Sequence, residues 1–527
     1  MSHQETKPIA DWAIMVYIAA DDILANFAIE SLKQLKRAAG SDKATGTNIL
    51  VVAQVDLDGH AKTRKTRRYI FDGTGDRDSS IENNLWYGDD QGSGEIAGVQ
   101  PPATLTDVDG SAAKSESIRK RHLPLIPGEM IEPVTLTGFI EFGYKQCNAN
   151  RHCLVAWGHG PSLFEEADAR AARSRNEDSD ASTACSRNVE SPKLYMNPKE
   201  LGKAVRDALQ GKKLDMIGID ACSMSMLEVA YELKDCADFM IASQQEVPDA
   251  SFPYEQLVPV FRKYPNEVEE ICRIGAKGYK LTYQDYVFTN RTALKKVTIS
   301  ALQTKCIKSV VAPLKELSQA LEATRDKAMR KLIFDARTGA KGFVGGLYVD
   351  LHDFCARLQE KLDKNNMGAD VSRLCKQICE AIDPTQDSTA PVDRFVIANE
   401  TTDSGHCHGV SIYFPYLGDE EKTQIESIPV KGGTNAPVKS ADFLNEIRRG
   451  EIEQTEKYHH ELGLSTETGL DKFIASWSRI LAEEAPDKLD ERYSAQQCAR
   501  NLLALCQKLE KCEGRDKQTP MTQVLAT

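Results

Sequence analysis

Short apolar runs alternate with amphipathic segments over the first half of the chain, and this pattern predicts strands followed by helices. The runs are continuous and rich in β-branched residues, as is typical of strands covered on both faces. They lie at residues 13–19, 48–55, 152–157, 214–219 and 238–243. Segments with helical spacing of apolar residues lie at 23–39, 135–148, 197–210 and 225–234. Strands that alternate with helices imply a mainly parallel sheet, so the predicted fold class is α/β.

The second half of the chain has a different pattern. Helical periodicity dominates from Val297 onward, and two strand-like runs interrupt it, at residues 344–349 and 409–415. We expect these runs to extend the sheet. The predicted division is an N-terminal tail at 1–11, a core at 12–295 with insertions at 75–132 and 161–190, a C-terminal part at 296–434, and an accessory helical segment at 435–527.

Composition limits the partners of such a fold. The chain has 527 residues, 41% hydrophobic and 27% charged, which is enough for two or three domains with a sizeable core. Its net charge of −12 argues against nucleic acid as the main partner and is compatible with a cationic substrate. No segment has the length of uncharged residues that a bilayer span needs, and the N-terminus lacks the pattern of a signal peptide. The sequence therefore predicts a cytoplasmic protein without a membrane partner.

The cysteines do not form the pattern of a disulfide framework. Fourteen are scattered singly along the chain. In a long chain without secretory features, they are expected to be reduced thiols that mostly serve as small buried hydrophobic residues.

Two of the predicted strands end in residues that can carry out chemistry. One run ends at His159, between Gly158 and Gly160, and another ends at Cys222. Because the carboxyl ends of parallel strands lie at one edge of a sheet, a thiolate and an imidazole can meet there and form a nucleophile. The alternative is that each residue, taken alone, has only a structural role.

Cys222 is also expected at the start of a helix over residues 223–234. Free backbone N–H groups and the positive end of the helix dipole would then lower the pKa of its thiol. The amides of Gly160 and Cys222 are the natural donors to an oxyanion at such a site.

Four motifs follow one another along the chain and together resemble a known family. They are residues 12–21, Trp157-Gly158-His159-Gly160, Ile219-Asp220-Ala221-Cys222 and Ser411-Ile412-Tyr413-Phe414-Pro415. In this order they are similar to the motifs of the clostripain family of cysteine peptidases, in the caspase-like clan. The resemblance implies a caspase-like three-layer α/β sandwich, with a mainly parallel central sheet flanked by helices and a helical C-terminal extension.

The resemblance also implies an activity. Members of the family cleave protein or peptide substrates after Arg or Lys with a Cys–His dyad. His159 matches the family's histidine and Cys222 its nucleophile. Asp220 matches an acid of the specificity pocket and Asp249 a second one, which suits a cationic side chain because a buried carboxylate pair is costly when unpaired. The alternative for both acids is capping of a helix or turn.

Family members can mature by cutting themselves between the His and Cys motifs. Here that interval contains a polar segment, residues 165–190, in a setting that favours proteolysis. The candidate cleavage sites are Arg170, Arg173, Arg175 and Arg187. The alternative is a solvated loop that is not cut.

Metal sites are weaker candidates. His406 and His408 could place two imidazoles on one side of a strand, but a metal site needs more ligands. Acidic residues at strand ends are typical of divalent-cation sites in phosphotransfer or receiver-like modules, which is an alternative function. These residues are Asp21, Asp22, Asp56 and Asp58. The family resemblance implies no required cofactor, although Ca²⁺ is compatible with such acids because some relatives use it. A catalytically silent member of the family is a further alternative.

Overall fold

The structure is a computed structural model of the chain. It describes residues 10–19, 25–41, 45–56, 66–73, 86–87, 133–158, 196–248, 250–284, 296–343, 348–382, 394–403, 406–414 and 462–484. These residues divide into two compact units. The first unit takes its described residues from Met1–Gly160, Met196–Val311 and Glu380–Val410, and the second takes its described residues from Ala312–Cys379 and Ser411–Thr527.

A large sheet forms the centre of the first unit. Its described strands are β1 (Ala10–Ala19), β2 (Gly40–Ser41), β3 (Asn48–Asp56), β4 (Thr66–Phe71), β5 (Trp86–Tyr87), β6 (Ala149–Trp157), β7 (Leu214–Asp220), β8 (Ala237–Ala242), β9 (Thr298–Gln303) and β12 (Val396–Thr401). The strand order is β12-β9-β8-β7-β6-β1-β3-β4-β5, and β2 pairs with β3. A smaller sheet in the second unit contains β10 (Gly342–Phe343), β11 (Tyr348–Asp350) and β13 (Ser411–Tyr413).

The middle of the large sheet is parallel, as the sequence predicts. The strands β8, β7, β6, β1 and β3 run in the same direction, and antiparallel strands flank them on both sides. Trp157 of β6 pairs with Asp220 of β7, so these neighbouring strands end at the same level. The edge of the sheet at these carboxyl ends is where ligands bind in open α/β sheets.

The helices pack on the two faces of the large sheet and around the small one. The described helices are α1 (Ala25–Ala38), α2 (Pro133–Gln146), α3 (Pro198–Leu209), α4 (Leu227–Leu233), α5 (Tyr254–Lys263), α6 (Val268–Tyr283), α7 (Lys308–Ala323), α8 (Lys327–Gly339), α9 (Leu351–Lys364), α10 (Ala369–Ile382), α11 (Gly463–Thr468) and α12 (Leu470–Glu484). None of them is both long and apolar enough to cross a membrane.

Side chains on both faces of β1 contact helices, so the sheet is covered on both faces. Trp12 packs edge-on against Phe261 of α5, and Tyr17 contacts Phe139 of α2. Because successive side chains of a strand point to opposite faces, even and odd positions of β1 belong to different layers. The described part of the first unit is therefore a sandwich of helices, sheet and helices, as expected.

Helix α3, which precedes β7, has clear start and stop signals in the sequence. Asn197 caps α3 with its side chain, and Glu200 completes a capping box. Pro198 occupies the first turn, where no backbone N–H is needed. At the other end Gln210 adopts the left-handed conformation that ends the helix. These signals fix the point at which the chain turns back into β7.

Packing of α3 against α4 depends on a glycine. A Cβ atom on Gly202 would lie 2.6 Å from the backbone oxygen of Glu232, a distance that requires the backbone to move. By contrast, among the described residues no atom beyond the backbone of its own helix and its chain neighbours lies within 4 Å of a Cβ on Gly138 of α2.

We therefore expect opposite effects of alanine at these two helical glycines. Gly202→Ala should lower the free energy of unfolding by about 1–3 kcal/mol because of overpacking. Gly138→Ala should raise it by about 0.5–1 kcal/mol because alanine is the better helix former. Urea denaturation of both variants measures the difference. Equal effects of the two substitutions would contradict the close packing of α3 on α4.

The edge of the large sheet differs from the expectation. The strands that extend it are β9, which pairs with β8, and β12, which pairs with β9. The runs predicted to extend it, at 344–349 and 409–415, instead contribute β11 and β13 to the separate small sheet. Clustering of contacts assigns the described residues of 296–311, 380–382, 394–403 and 406–410 to the first unit, and the predicted domain boundaries stay a prediction. Hydrophobicity marks a strand but does not indicate which sheet it joins.

The second unit buries part of the polar tail. Phe414 packs against Phe473 and Trp477 of α12 at ring-centroid distances of 5.3 and 6.4 Å. Arg337 of α8 is buried, donates to the backbone oxygen of Phe414 at 2.6 Å and lies over its ring. The segment predicted to be accessory therefore supplies core residues of this unit.

Candidate active site

Cys222 lies just beyond the carboxyl end of β7. The strand ends at Asp220, and Cys222 follows in a turn with its side chain partly exposed. The backbone N–H of Val247, in the segment after β8, donates to Cys222 Sγ at 3.4 Å. A donor aimed at sulfur favours the thiolate, which is the nucleophilic form of cysteine. Cys222 is thus a partly exposed cysteine whose sulfur accepts a backbone hydrogen bond.

The setting of Cys222 differs from the expected helix start. Helix α4 begins at Leu227, and the residues after Cys222 continue to pair with the neighbouring chain segment. Ser223 N donates to Gln245 O at 2.9 Å, and Ser225 N donates to Ser243 O at 2.8 Å. These amides are not free, so the expectation of unpaired N–H groups at a helix terminus beside the thiol is wrong.

The end of β6 lies beside the end of β7. Gly158 N donates to Asp220 O at 3.3 Å, and Trp157 pairs with Asp220. His159 and Gly160 come directly after this contact in the chain, and both lie outside the described residues. The described geometry therefore brings the two strand ends together, and the dyad and the oxyanion donors stay predictions.

Asp220 is a fully buried carboxylate. Ser251 Oγ and the backbone N–H of Phe252 both donate to its Oδ2, the latter at 2.7 Å. Its Oδ1 has no hydrogen-bond partner within the described parts of the chain. Burial raises the pKa of Asp220 to about 7, although the two hydrogen bonds act in the opposite direction. Oδ2 thus holds the turn at Ser251 and Phe252, as the capping alternative requires. Oδ1 has no partner among the described residues.

The residues that bind Asp220 follow the second predicted pocket acid in the chain. Ser251 N donates to Pro248 O at 2.9 Å. Asp249 itself lies outside the described residues, so its role in the pocket stays a prediction. Ser251 has a positive φ of 66°, which is uncommon for a residue other than glycine.

The remaining candidates lie largely outside the residues that the structure describes. The proposed cleavage sites Arg170, Arg173, Arg175 and Arg187 lie outside the described residues. So do Asp21, Asp22 and Asp58, and of Asp56 only the backbone is described, at the end of β3. Near His406 and His408, as elsewhere in the described ranges, no group of three or more His, Cys, Asp or Glu side chains could hold a metal ion. Because the side chains of these four acids lie outside the described residues, a role for Ca²⁺ stays a prediction.

Several polar residues at this edge were not found from the sequence. Ser225 Oγ donates to Gly409 O at 2.6 Å, and Gly409 N donates to the side chain of Gln244 at 2.9 Å. These contacts tie the segment after Cys222 and the segment after β8 to residues much later in the chain. Serine and glutamine near a strand end give no signal of such partners, because each contact joins residues that are far apart in sequence.

Comparison with known families now adds to this geometry. The family model of the clostripain family, peptidase family C11, matches residues 16–477. The chain belongs to the clostripain family. A clostripain-family protein is a cysteine peptidase, a hydrolase whose substrates are peptides or proteins. Nothing in this match favours the phosphotransfer alternative.

Solved structures of C11 proteases match most of the chain. A secreted C11 cysteine protease from Bacteroides thetaiotaomicron, in complex with an irreversible peptide inhibitor, is 16% identical with a TM-score of 0.46 over 87% of this chain and 99% of that chain. An inactive zymogen C11 protease from Parabacteroides distasonis is 15% identical with a TM-score of 0.48 over 88% of this clostripain-family chain and 99% of its own. Curated protein sequences give no significant match.

Proposed function

We propose that the chain is a cysteine endopeptidase that cleaves peptide bonds after Arg or Lys, with Cys222 as nucleophile and His159 as general base and acid. The observation that supports it most directly is the partly exposed Cys222 at the carboxyl end of β7, with Val247 N–H donating to its sulfur. The end of β6, which leads to His159, hydrogen-bonds to the same strand end. A nucleophile and its base have to lie within hydrogen-bond reach of each other, and neighbouring strand ends support this pairing.

The proposed reaction proceeds through a thioester. His159 takes the proton of the Cys222 thiol, and the sulfur attacks the carbonyl carbon of the substrate. Backbone amides at Gly160 and Cys222 would stabilise the negative oxygen of the tetrahedral intermediate. His159 then gives the proton to the departing amine as the C–N bond breaks. Water, activated by the same imidazole, hydrolyses the thioester and restores the thiol.

Specificity for a basic side chain rests on the two acids. Asp249 would contact the guanidinium or ammonium group, and Asp220 would supply negative charge from the buried base of the pocket. Burial without a cation holds the pKa of Asp220 at about 7, so the acid is partly protonated near neutrality. A substrate cation would favour its ionised form through a charge-assisted interaction.

Self-cleavage is part of the proposal. The interval between the two catalytic residues contains Arg170, Arg173, Arg175 and Arg187, and each matches the proposed specificity for cleavage after Arg. A polar segment that has little to bury is also a favoured substrate for proteolysis.

Peptides that differ only in charge at the residue before the cleaved bond test the specificity. We expect peptides with Arg or Lys to be cleaved about 10³-fold more efficiently, in kcat/KM, than peptides with citrulline or norleucine at that position. Citrulline retains the shape of Arg without its charge, so it isolates the electrostatic contribution. Equal cleavage of the Arg and citrulline peptides would contradict the proposed pocket, whereas cleavage of neither would contradict peptidase activity of this kind.

A further inference from the structure

The chain that follows β8 contacts the nucleophile and its neighbour at two points. Val247 N–H donates to Cys222 Sγ at 3.4 Å. The backbone oxygen of Gln245 accepts a hydrogen bond from Ser223 N at 2.9 Å. We refer to residues 243–247 as the support segment. Because one bond ends on the sulfur and the other on the next residue of the chain, the position of the support segment determines how its N–H donor is aimed at the thiol.

One buried hydroxyl binds the backbone of the support segment. Thr298 is the first residue of β9 and is fully buried. Its Oγ1 accepts hydrogen bonds from the backbone N–H groups of Gln244 and Gln245, at 3.0 and 3.1 Å. Both acceptor positions of the hydroxyl are then in use, so its proton goes to Ser243 Oγ, which lies 2.9 Å away. The hydroxyl thus contacts three consecutive residues of the segment.

These contacts begin where the backbone pairing of the two strands stops. The pairing of β8 with β9 ends at Ala242 and Ser300, and the Thr298 hydroxyl continues the connection beyond that pair. Gln244 is fully buried, so its N–H needs a partner within the protein. Loss of the hydroxyl would leave this N–H without its acceptor, which is costly in a protein interior, and would release the support segment from β9.

We infer that Thr298 is a positioning residue for the nucleophile, acting through the support segment to keep the Val247 N–H aimed at Cys222 Sγ. The inference rests on the proposed function, in which the sulfur attacks the substrate. A hydrogen bond to sulfur stabilises the thiolate relative to the thiol, so its loss raises the pKa of the cysteine. Thr298 does not itself contact the substrate in this scheme. Its effect is therefore on the reactivity of the thiol.

The opposite end of β8 supplies a matched control. Thr304 is fully buried, as Thr298 is, and its Oγ1 donates to the backbone oxygen of Ala237, the first residue of β8. Valine has the branched shape of threonine without the hydroxyl. Replacement of either threonine by valine therefore removes one buried hydroxyl that binds the chain at an end of β8. Only one of the two hydroxyls binds the support segment.

The experiment compares Thr298→Val, Thr298→Ser and Thr304→Val in the full chain. Mass spectrometry follows the alkylation of Cys222 by iodoacetamide as a function of pH. Loss of one hydrogen bond to the thiolate predicts that Thr298→Val shifts this profile upward by about one pH unit and lowers kcat for Arg and Lys peptides about tenfold. Thr298→Ser retains the hydroxyl and should keep the wild-type values, and Thr304→Val should change neither.

The alkylation profile separates positioning from a general structural effect. None of the three substitutions changes an ionisable side chain, so a shift reports a change in hydrogen bonding at the thiol. Cys379, which is partly exposed in the second unit, serves as the internal reference and should react at the same rate in every variant. An unshifted Cys222 profile in Thr298→Val overturns the inference, as does an equal shift in Thr304→Val or in Thr298→Ser.

Two further measurements cover the remaining outcomes. If Thr298→Val does not fold, hydrogen–deuterium exchange of the wild-type chain still tests the contacts, because exchange of the Gln244 and Val247 amides at the rate of an unstructured peptide would overturn the inference. Protection of both amides comparable to that of β8 supports it. If the wild-type chain cleaves neither the Arg nor the Lys peptide, the proposed function fails, and the alkylation profiles still decide whether Thr298 positions the thiol.

Discussion

Cys222→Ala should reduce cleavage of Arg and Lys peptides by at least about 10⁴-fold in kcat while the protein stays folded. The reason is that no other group in the proposed mechanism can form the thioester. Initial rates with saturating peptide, together with circular dichroism of the variant, measure the two parts of the prediction. Mass spectrometry of the same sample should show one intact chain, because self-cleavage needs the same nucleophile.

Cys379→Ala is the matched control for this experiment. Among the described cysteines, Cys222 and Cys379 are the two that are not buried, so both thiols are open to adventitious modification. Cys379 donates to the backbone oxygen of His352 in the second unit and has no place in the proposed mechanism. Turnover that survives in Cys222→Ala, or is lost in Cys379→Ala, would contradict the assignment of the nucleophile. Fragments of Cys222→Ala would remove the proposal of self-cleavage.

Asp220 should make the protein less stable as the pH rises toward neutrality. Its pKa in the folded protein is raised to about 7 from an ordinary value of 3.8, because burial disfavours the charged form. Between these values the folded chain retains a proton that the unfolded chain releases, so stability falls with rising pH and levels off above about pH 7. A shift of about three units corresponds to a loss on the order of 4 kcal/mol across this interval.

Comparison with Asp220→Asn isolates this contribution. The amide resembles the protonated acid and can still accept the hydrogen bonds of Ser251 and Phe252, so the difference in unfolding free energy between variant and wild type should change with pH. Urea denaturation at several values from about pH 5 to about pH 8 measures that difference. Asp207→Asn, an exposed residue of α3 paired with Lys203, serves as the surface control. Parallel curves for wild type and Asp220→Asn would show that the buried acid does not titrate in this interval.

The parallel centre of the fold could be predicted from the sequence because its strands are long and covered on both faces. The strand predicted at 48–55 is observed at Asn48–Asp56, and the helix predicted at 197–210 is observed at Pro198–Leu209. The antiparallel strands β9 and β12 were missed. They are short and contain polar residues that pair with each other, as Ser300 does with Asn399, so neither gives a continuous apolar run.

The candidate site was predictable in its residue types but not in its connections. Cys222 and Asp220 stand at a strand end, which a single sequence can show. The partner of Asp220, Ser251, is 31 residues away, and Tyr283, which donates to Ser251 O, is a further 32 residues along the chain. No local pattern encodes such contacts. The expected start of the helix directly after Cys222 is wrong for a similar reason. The backbone N–H of Ser225 donates to Ser243 of the neighbouring segment rather than taking part in the helix.

The cluster of aromatic rings around Phe414 determines how far the chain can be shortened. Phe473 and Trp477 cover a ring that would otherwise be exposed to water, and each is a large buried side chain whose loss costs about 3–5 kcal/mol. A protein cut before α12 would carry an uncovered apolar surface and aggregate on that account. Shorter versions for expression or crystallisation therefore have to keep the chain through residue 484.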